Sequence, residues 1–241
     1  MKISFQTHST GCVKRKILLA AILFFTLCNQ CPSAKGYWIW AGISASDIAA
    51  KNSDSVYIYQ GLVSSDGAEI KFSKKGLYHF PLKFDKAYLA LRLDNKTLPP
   101  TDKLSQLSLN LIRQWEKHGV KIIGIQIDYD SPTFALEKYE KFLKSYRSFL
   151  PSSYRISITA LADWIHNPSA LQKISNTTQE IVFQLYQERK MLDPISTYLD
   201  QLSALKIPFK VGVLASADCR LIDGKLTSNK NFYGSIVFVQ K

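Results

Sequence analysis

The stretch IGIQIDYDSPT at residues 123–133 sets two aspartates, Asp128 and Asp130, two positions apart at the end of what reads as a buried strand. Side chains alternate across a strand, so Gly124, Gln126, Asp128 and Asp130 share one face and Ile123, Ile125, Ile127 and Tyr129 the other. Two carboxylates this close cannot both ionise cheaply, and one is expected to keep its proton to a higher pH. A protonated acid beside an ionised partner is what glycosidic bond cleavage uses. The structural reading of the same residues is that Asp130 caps a helix opening at Ser131 while hydrogen bonds tie Asp128 down.

The elements that must position this pair follow from the rest of the chain. Eight segments rich in Ile, Val, Leu and Tyr read as doubly buried parallel strands: 37–42, 55–60, 87–94, 121–128, 155–161, 180–186, 209–215 and 234–240. Between the later ones lie amphipathic helices. Thr101 is expected to cap a helix with Leu104, Leu107, Leu111, Ile112 and Trp115 on one face, stopped by Gly119. Ser131–Pro132, Asn167–Pro168 and Asp193–Pro194 each read as a capping residue followed by proline at the first helical position. Strand, helix, strand, repeated to eight strands, predicts a closed α/β barrel. The expected form is a small, partly degenerate (β/α)8 TIM-type barrel. The segment EIKFSKKGLYHF reads as a hairpin around Lys74, Lys75 and Gly76 in place of the second helix, and no final helix is expected. An open doubly wound sheet is the second architecture, but AGISASDIAA after the first strand lacks its glycine-rich phosphate loop.

In such a barrel chemistry collects where strands run out at the C-terminal face. There the sequence places Trp40, Gln60, Asp94, Asp128 with Asp130, Asp163 with Trp164, Tyr186 with Gln187, and Asp218. The expected catalytic residues are Asp128, Asp130 and Tyr186. Asp94, Asp163 and Asp218 are expected to line a groove, with Trp40 and Trp164 stacking on sugar faces or simply packing. Arg92 shares a face with Asp94. It either holds a carboxylate on the substrate or pairs with Asp128 or Asp94. Gln126 and Gln184 are expected to form a polar floor.

The run GIQIDYDSP resembles the fourth strand of chitinase-type barrels, glycoside hydrolase family eighteen, with its DxxDxDxE pattern. Gln126, Asp128 and Asp130 fall where that family has Asp, Asp and Glu, and FQLYQ is similar to its Met-x-Tyr segment. The resemblance implies Asp130 as general acid, Asp128 as support for a substrate acetamido group acting as nucleophile, and Tyr186 as holder of that group. Ile123 stands where the family has its first Asp, and Asp130 is one methylene shorter than Glu. The longer series QIDYDSPT, a helix with Tyr139 and Phe142, then LPSSYRISITALADW resembles an uncharacterised bacterial group, the domain of unknown function family 3142. That likeness implies the fold and an exported role and supplies no activity.

Composition bounds the rest. Hydrophobic residues at 46% and charged residues at 21% fit an ordinary globular chain of 241 residues. The N-terminus differs. Lys14, Arg15 and Lys16 precede an uncharged apolar run, Ile17 to Cys28, with small residues at Ser33 and Ala34. Basic, apolar, small is the order of a secretory signal, and the run is shorter than the roughly 20 residues that span a bilayer. The expected division is a signal peptide or anchor over residues 1–34 and the barrel over 35–241. Cleavage there would leave Cys219 as the one thiol, read as packed or idle. The net charge is +12, and the lysines are spread along the chain, which reads as a solvated basic surface with weak attraction to anionic envelope polymers. No zinc finger, Walker loop or RNA-binding signature occurs, and histidine is missing from the strand ends, so neither nucleic acid, metal nor cofactor is expected. An aldolase or isomerase barrel would want a strand-end lysine or a phosphate loop. The expected protein is a monomer, exported to the periplasm or medium, touching the membrane only through an uncleaved N-terminal segment. Its expected activity is glycoside hydrolysis on an envelope or extracellular polysaccharide. The alternative is a non-catalytic barrel that binds a glycan or an envelope partner.

Overall fold

A computed structural model describes residues 34–40, 55–76, 86–94 and 96–239. Eight parallel strands close into a barrel: β1 (Ala34–Ile39), β2 (Ser55–Ser65), β4 (Ala87–Leu93), β5 (Ile122–Asp128), β6 (Arg155–Leu161), β7 (Glu180–Gln184), β10 (Phe209–Leu214) and β11 (Phe232–Val239). Closure is made at β1, which pairs in parallel with β2 from Gly36–Ser55 to Ile39–Ile58 and with β11 from Gly36–Ile236 to Ile39–Val239. Each strand matches one of the eight apolar segments read from the sequence. The first begins earlier than expected, and Ala41 and Gly42 lie outside the described residues.

Among the described residues five α-helices cover the outside: α1 (Thr101–Lys117), α2 (Leu136–Phe149), α3 (Pro168–Thr177), α4 (Ile195–Ser203) and α5 (Cys219–Leu226). A hairpin replaces the second helix, but its turn is not where expected. Strand β3 (Ile70–Lys74) runs antiparallel to the end of β2, and the chain reverses at Asp66 and Gly67. Asp66 accepts from the amides of Ala68 and Glu69, the local bonding that makes Asp a turn residue. Lys74 is therefore the end of a strand, and residues 77–80 of the expected hairpin lie outside the described residues.

Helix starts also differ from expectation. Asn167 does cap α3, accepting from the amide of Ala170 at 3.2 Å with Pro168 behind it. Pro100 occupies the cap position of α1, and Thr101 instead bonds Ser145 on α2 at 2.8 Å. Ser131 is buried, and Pro132 leads into a 3-10 turn (Thr133–Ala135) ahead of α2. Pro194, not Asp193, occupies the cap position of α4. A polar residue before proline is a helix start only where the backbone also brings its oxygen over the first amides.

The core has two layers. Outward strand residues such as Ile58, Leu89, Ile125, Ile158 and Phe183 pack on helix stripes that include Leu111, Ile112, Trp115, Leu143 and Leu171, all at 4% exposure or less. Each such side chain contributes about 1.5–3 kcal/mol. The barrel interior holds a separate, largely aromatic cluster: Trp38, Tyr57, Tyr88, Val182, Leu214, Ile236 and Phe238. Tyr57 and Tyr88 stack at 5.0 Å, and Trp38 meets Tyr57 edge-on at 6.0 Å. So large an indole fits because the facing residue is Gly212, where an added Cβ would lie 2.5 Å from the Trp38 ring.

Cys219 departs from the expected idle thiol. It is buried on α5 and disulfide-bonded, and its partner lies outside the described residues. Residues 1–33, with the expected signal, also lie outside them.

Candidate functional site at the C-terminal mouth

Strands β4 and β5 pair with Arg92 beside Asp128, so the pleat aims both side chains into the barrel. Arg92 then reaches both aspartates. Its Nη1 donates to Asp128 Oδ2 at 3.0 Å and its Nη2 to Asp130 Oδ2 at 2.7 Å. The sequence left the partner of Arg92 open between Asp94, Asp128 and a substrate group, and in the structure one fork clamps the pair. A guanidinium between two carboxylates relieves the repulsion expected of them.

The two aspartates differ in their surroundings. Asp128 is buried and fully engaged: Thr159 donates to its Oδ1 at 2.8 Å and Gln184 at 3.5 Å, with Arg92 on the other oxygen. Burial raises its pKa above the usual carboxylate range, while Arg92 and the Thr159 bond pull the other way. Asp130 is about a quarter exposed at the lip, and among the described residues no donor reaches its Oδ1. That oxygen is the one a bound molecule would meet.

Above the pair opens a cavity of about 800 Å³ whose lining includes Trp40, Arg92, Asp128, Asp130, Asp163, Gln184 and Tyr186. Trp40 stacks on Tyr59 at 4.0 Å and meets Phe238 edge-on at 5.3 Å. Tyr186 stacks on Phe238 at 5.6 Å, and burial followed by the charge of Asp128 raises its pKa. Asp163, on the 3-10 turn Ala162–His166, accepts from Thr133 and so bridges the loops after β5 and β6.

Four expected site residues are placed elsewhere. Gln126 lies deeper in the barrel, accepting from the Trp38 indole and donating to Ser157 at 3.0 Å, so it floors the aromatic cluster while Gln184 alone touches Asp128. Trp164 faces the helix layer, fully buried against Tyr139, and its indole donates to the carbonyl of Ser131 at 2.8 Å. It fixes the loop that presents Asp130 and offers no face to a sugar. Asp94 accepts from the amide of Lys96 at 3.2 Å in a turn. Asp218 caps α5 through the amides of Arg220 and Leu221. Neither lines the cavity. Their short side chains bond the adjacent backbone first.

Sequence reading missed Thr159, Tyr59 and a small hairpin at the rim. Thr159 was findable, since alternation in RISITAL sets it on the face of Ser157. The hairpin pairs β8 (Tyr186–Gln187) with β9 (Lys190–Met191) and turns through Glu188 at φ 53°. With no glycine or asparagine at that left-handed position, no turn signal marks it.

Comparison with known proteins agrees with this frame. The solved structure of concanavalin B is similar over 86% of this chain and 92% of its own, at 13% identity and a TM-score of 0.51. No curated protein matches the sequence. The family model for DUF3142, a domain of unknown function, matches residues 87–217, the span from β4 to the loop ahead of α5. That span is more than half of the chain and contains Arg92, Asp128, Asp130 and Tyr186, and the protein belongs to the DUF3142 family.

Proposed function

We propose that this is an exported barrel that takes a polysaccharide across its C-terminal mouth and hydrolyses it with Asp130 as the reacting acid. The observation that carries this is the Asp128–Arg92–Asp130 cluster set beneath an open, aromatic-walled cavity. Trp40 and Tyr186 offer ring faces to sugar C–H groups, and Asp130 Oδ1 is free to meet a glycosidic oxygen. Asp128 acts through Arg92. Held by Thr159 and Gln184, it fixes the guanidinium that in turn fixes Asp130. To act as the acid Asp130 must turn its carboxyl to the glycosidic oxygen, and the bond from Arg92 at 2.7 Å holds that carboxyl in place. Catalysis therefore requires substrate to draw Arg92 away from Asp130, as an anionic sugar substituent would.

The same contact favours a second reading. With Arg92 bonded to Asp130 at 2.7 Å, the mouth is also suited to bind a glycan without cleaving it. Export is supported by the order of basic, apolar and small residues at the N-terminus, and the disulfide at Cys219 fits an oxidising compartment in a chain that keeps the N-terminal segment holding its partner. The other three cysteines, Cys12, Cys28 and Cys31, all precede Ala34, so a thiol count on the purified protein also reports where the chain is cut.

The test is a panel of neutral and uronate-bearing polysaccharides offered to the parent, Asp130→Asn and Arg92→Gln. Product from the parent and none from Asp130→Asn supports hydrolysis by Asp130. Binding by the parent and Asp130→Asn alike, with no product from either, supports the binding reading. No binding to any glycan rejects both.

A further inference from the structure

The opposite end of the barrel holds a second cavity, of about 840 Å³, at the N-terminal ends of the strands. Among the described residues Lys35, Lys86, Arg155 and Lys210 line it, together with a single acid, Glu180. That acid is already neutralised. Glu180 Oε2 pairs with Lys210 Nζ at 2.7 Å, and its Oε1 accepts from Tyr57 at 2.6 Å and from Ser157 at 2.7 Å. Among the described residues neither Lys86 nor Arg155 has an acid partner, although both are exposed and line the same hollow. Lys86 and Arg155 therefore bring positive charge to this mouth that no described acid offsets. Tyr233, 58% exposed, adds an aromatic ring to its lining.

N-terminal faces of such barrels usually contribute stability and no binding. Gathering cations around a hollow does the reverse, because like charges repel, and the arrangement becomes favourable when an anion enters. A phosphate ester carries close to two charges and several acceptor oxygens, which suits several ammonium and guanidinium groups better than a single carboxylate does. We infer that the N-terminal mouth is a binding site for a phosphate-bearing group, recognised by Lys86 and Arg155 beside the Glu180–Lys210 pair. Two sources carry that chemistry, a soluble phosphate compound and a phospholipid headgroup. The chain enters the barrel at this rim through Ala34 and Lys35, so an apolar run at 17–28 retained in a bilayer would hold this mouth against the lipid.

The test uses the full chain and its Lys86→Gln/Arg155→Gln double variant. Both side chains are exposed, so the variant keeps its fold, as its thermal midpoint will report. Titration calorimetry with sodium pyrophosphate is expected to give a Kd below about 1 mM for the parent and at least about tenfold weaker binding for the variant. Added salt is expected to weaken it. Cosedimentation with phosphatidylcholine vesicles, with and without phosphatidylglycerol, reads the lipid source. Both chains share the same N-terminal segment, so their difference reports the barrel alone. Pyrophosphate binding lost in the variant assigns a soluble ligand. Phosphatidylglycerol-dependent sedimentation lost in the variant, without pyrophosphate binding, assigns a headgroup. No response to either probe, equal responses from parent and variant, or equal binding of citrate overturns the proposal.

Discussion

The two mouths of this barrel are built on the same motif and finished differently. At the C-terminal end Arg92 faces two carboxylates, Asp128 and Asp130, and at the N-terminal end one carboxylate, Glu180, faces Lys210 with three further cations around it. Between them the aromatic cluster of Trp38, Tyr57 and Tyr88 closes the axis. Among the described residues the upper cluster leaves an acceptor oxygen open to the cavity, and the lower one leaves Lys86 and Arg155 without an acid partner. A buried ion pair is close to neutral in net stability, so its surroundings decide its use. Here, among the described residues, they give one end a surplus of acceptors and the other a surplus of positive charge.

Removing one member of each cluster separates their structural roles. The largest effect is expected from Glu180→Leu, which strands Tyr57, Ser157 and Lys210 in the barrel interior at a cost of about 3–5 kcal/mol, read from urea unfolding. Arg92→Gln is expected to cost less, about 2 kcal/mol, because its side chain is 36% exposed and water can take over part of its role. A loss from Arg92→Gln as large as that from Glu180→Leu would mean that the upper mouth, too, is chiefly structural.

The pH dependence sharpens the contrast further. Burial holds the folded pKa of Asp128 above its unfolded value, so between the two values the native state keeps a proton that the unfolded chain has lost. Stability from this group is thus present below the usual carboxylate range and falls as pH rises from about 4 through the raised folded value. Asp128→Asn should flatten that fall, and an unchanged profile would place the titration elsewhere. The smallest effect is expected from Asp218→Ala, about 1 kcal/mol for a lost helix cap, with ligand binding at both mouths unchanged. A change in binding at either mouth would return Asp218 to the site.

Much of the frame was legible because it follows from local pattern. Apolar runs marked all eight strands, and alternation set Arg92, Gln126, Asp128 and Gln184 toward the interior. Depth within the barrel was not legible: Gln126 and Asp128 share a face, yet one bonds Trp38 and the other lies at the mouth. Trp164 shows a related limit. A strand-end indole reads alike whether it lines a cavity or turns outward, and here the helix layer and the carbonyl of Ser131 claimed it. The capping residues failed where the backbone ran differently, as at Ser131 and Asp193.

By itself the sequence determined the strands, the barrel they close into and the aspartates at the end of β5, because side-chain alternation and apolar patterning act over a few residues. Tertiary structure alone decided the partners. Register between β4 and β5 put Arg92 on both aspartates, and closure brought Lys35, Lys86, Arg155 and Lys210, scattered through the chain as ordinary surface charges, around one cavity. Charges interact through space, and their distances exist only once the chain has closed on itself.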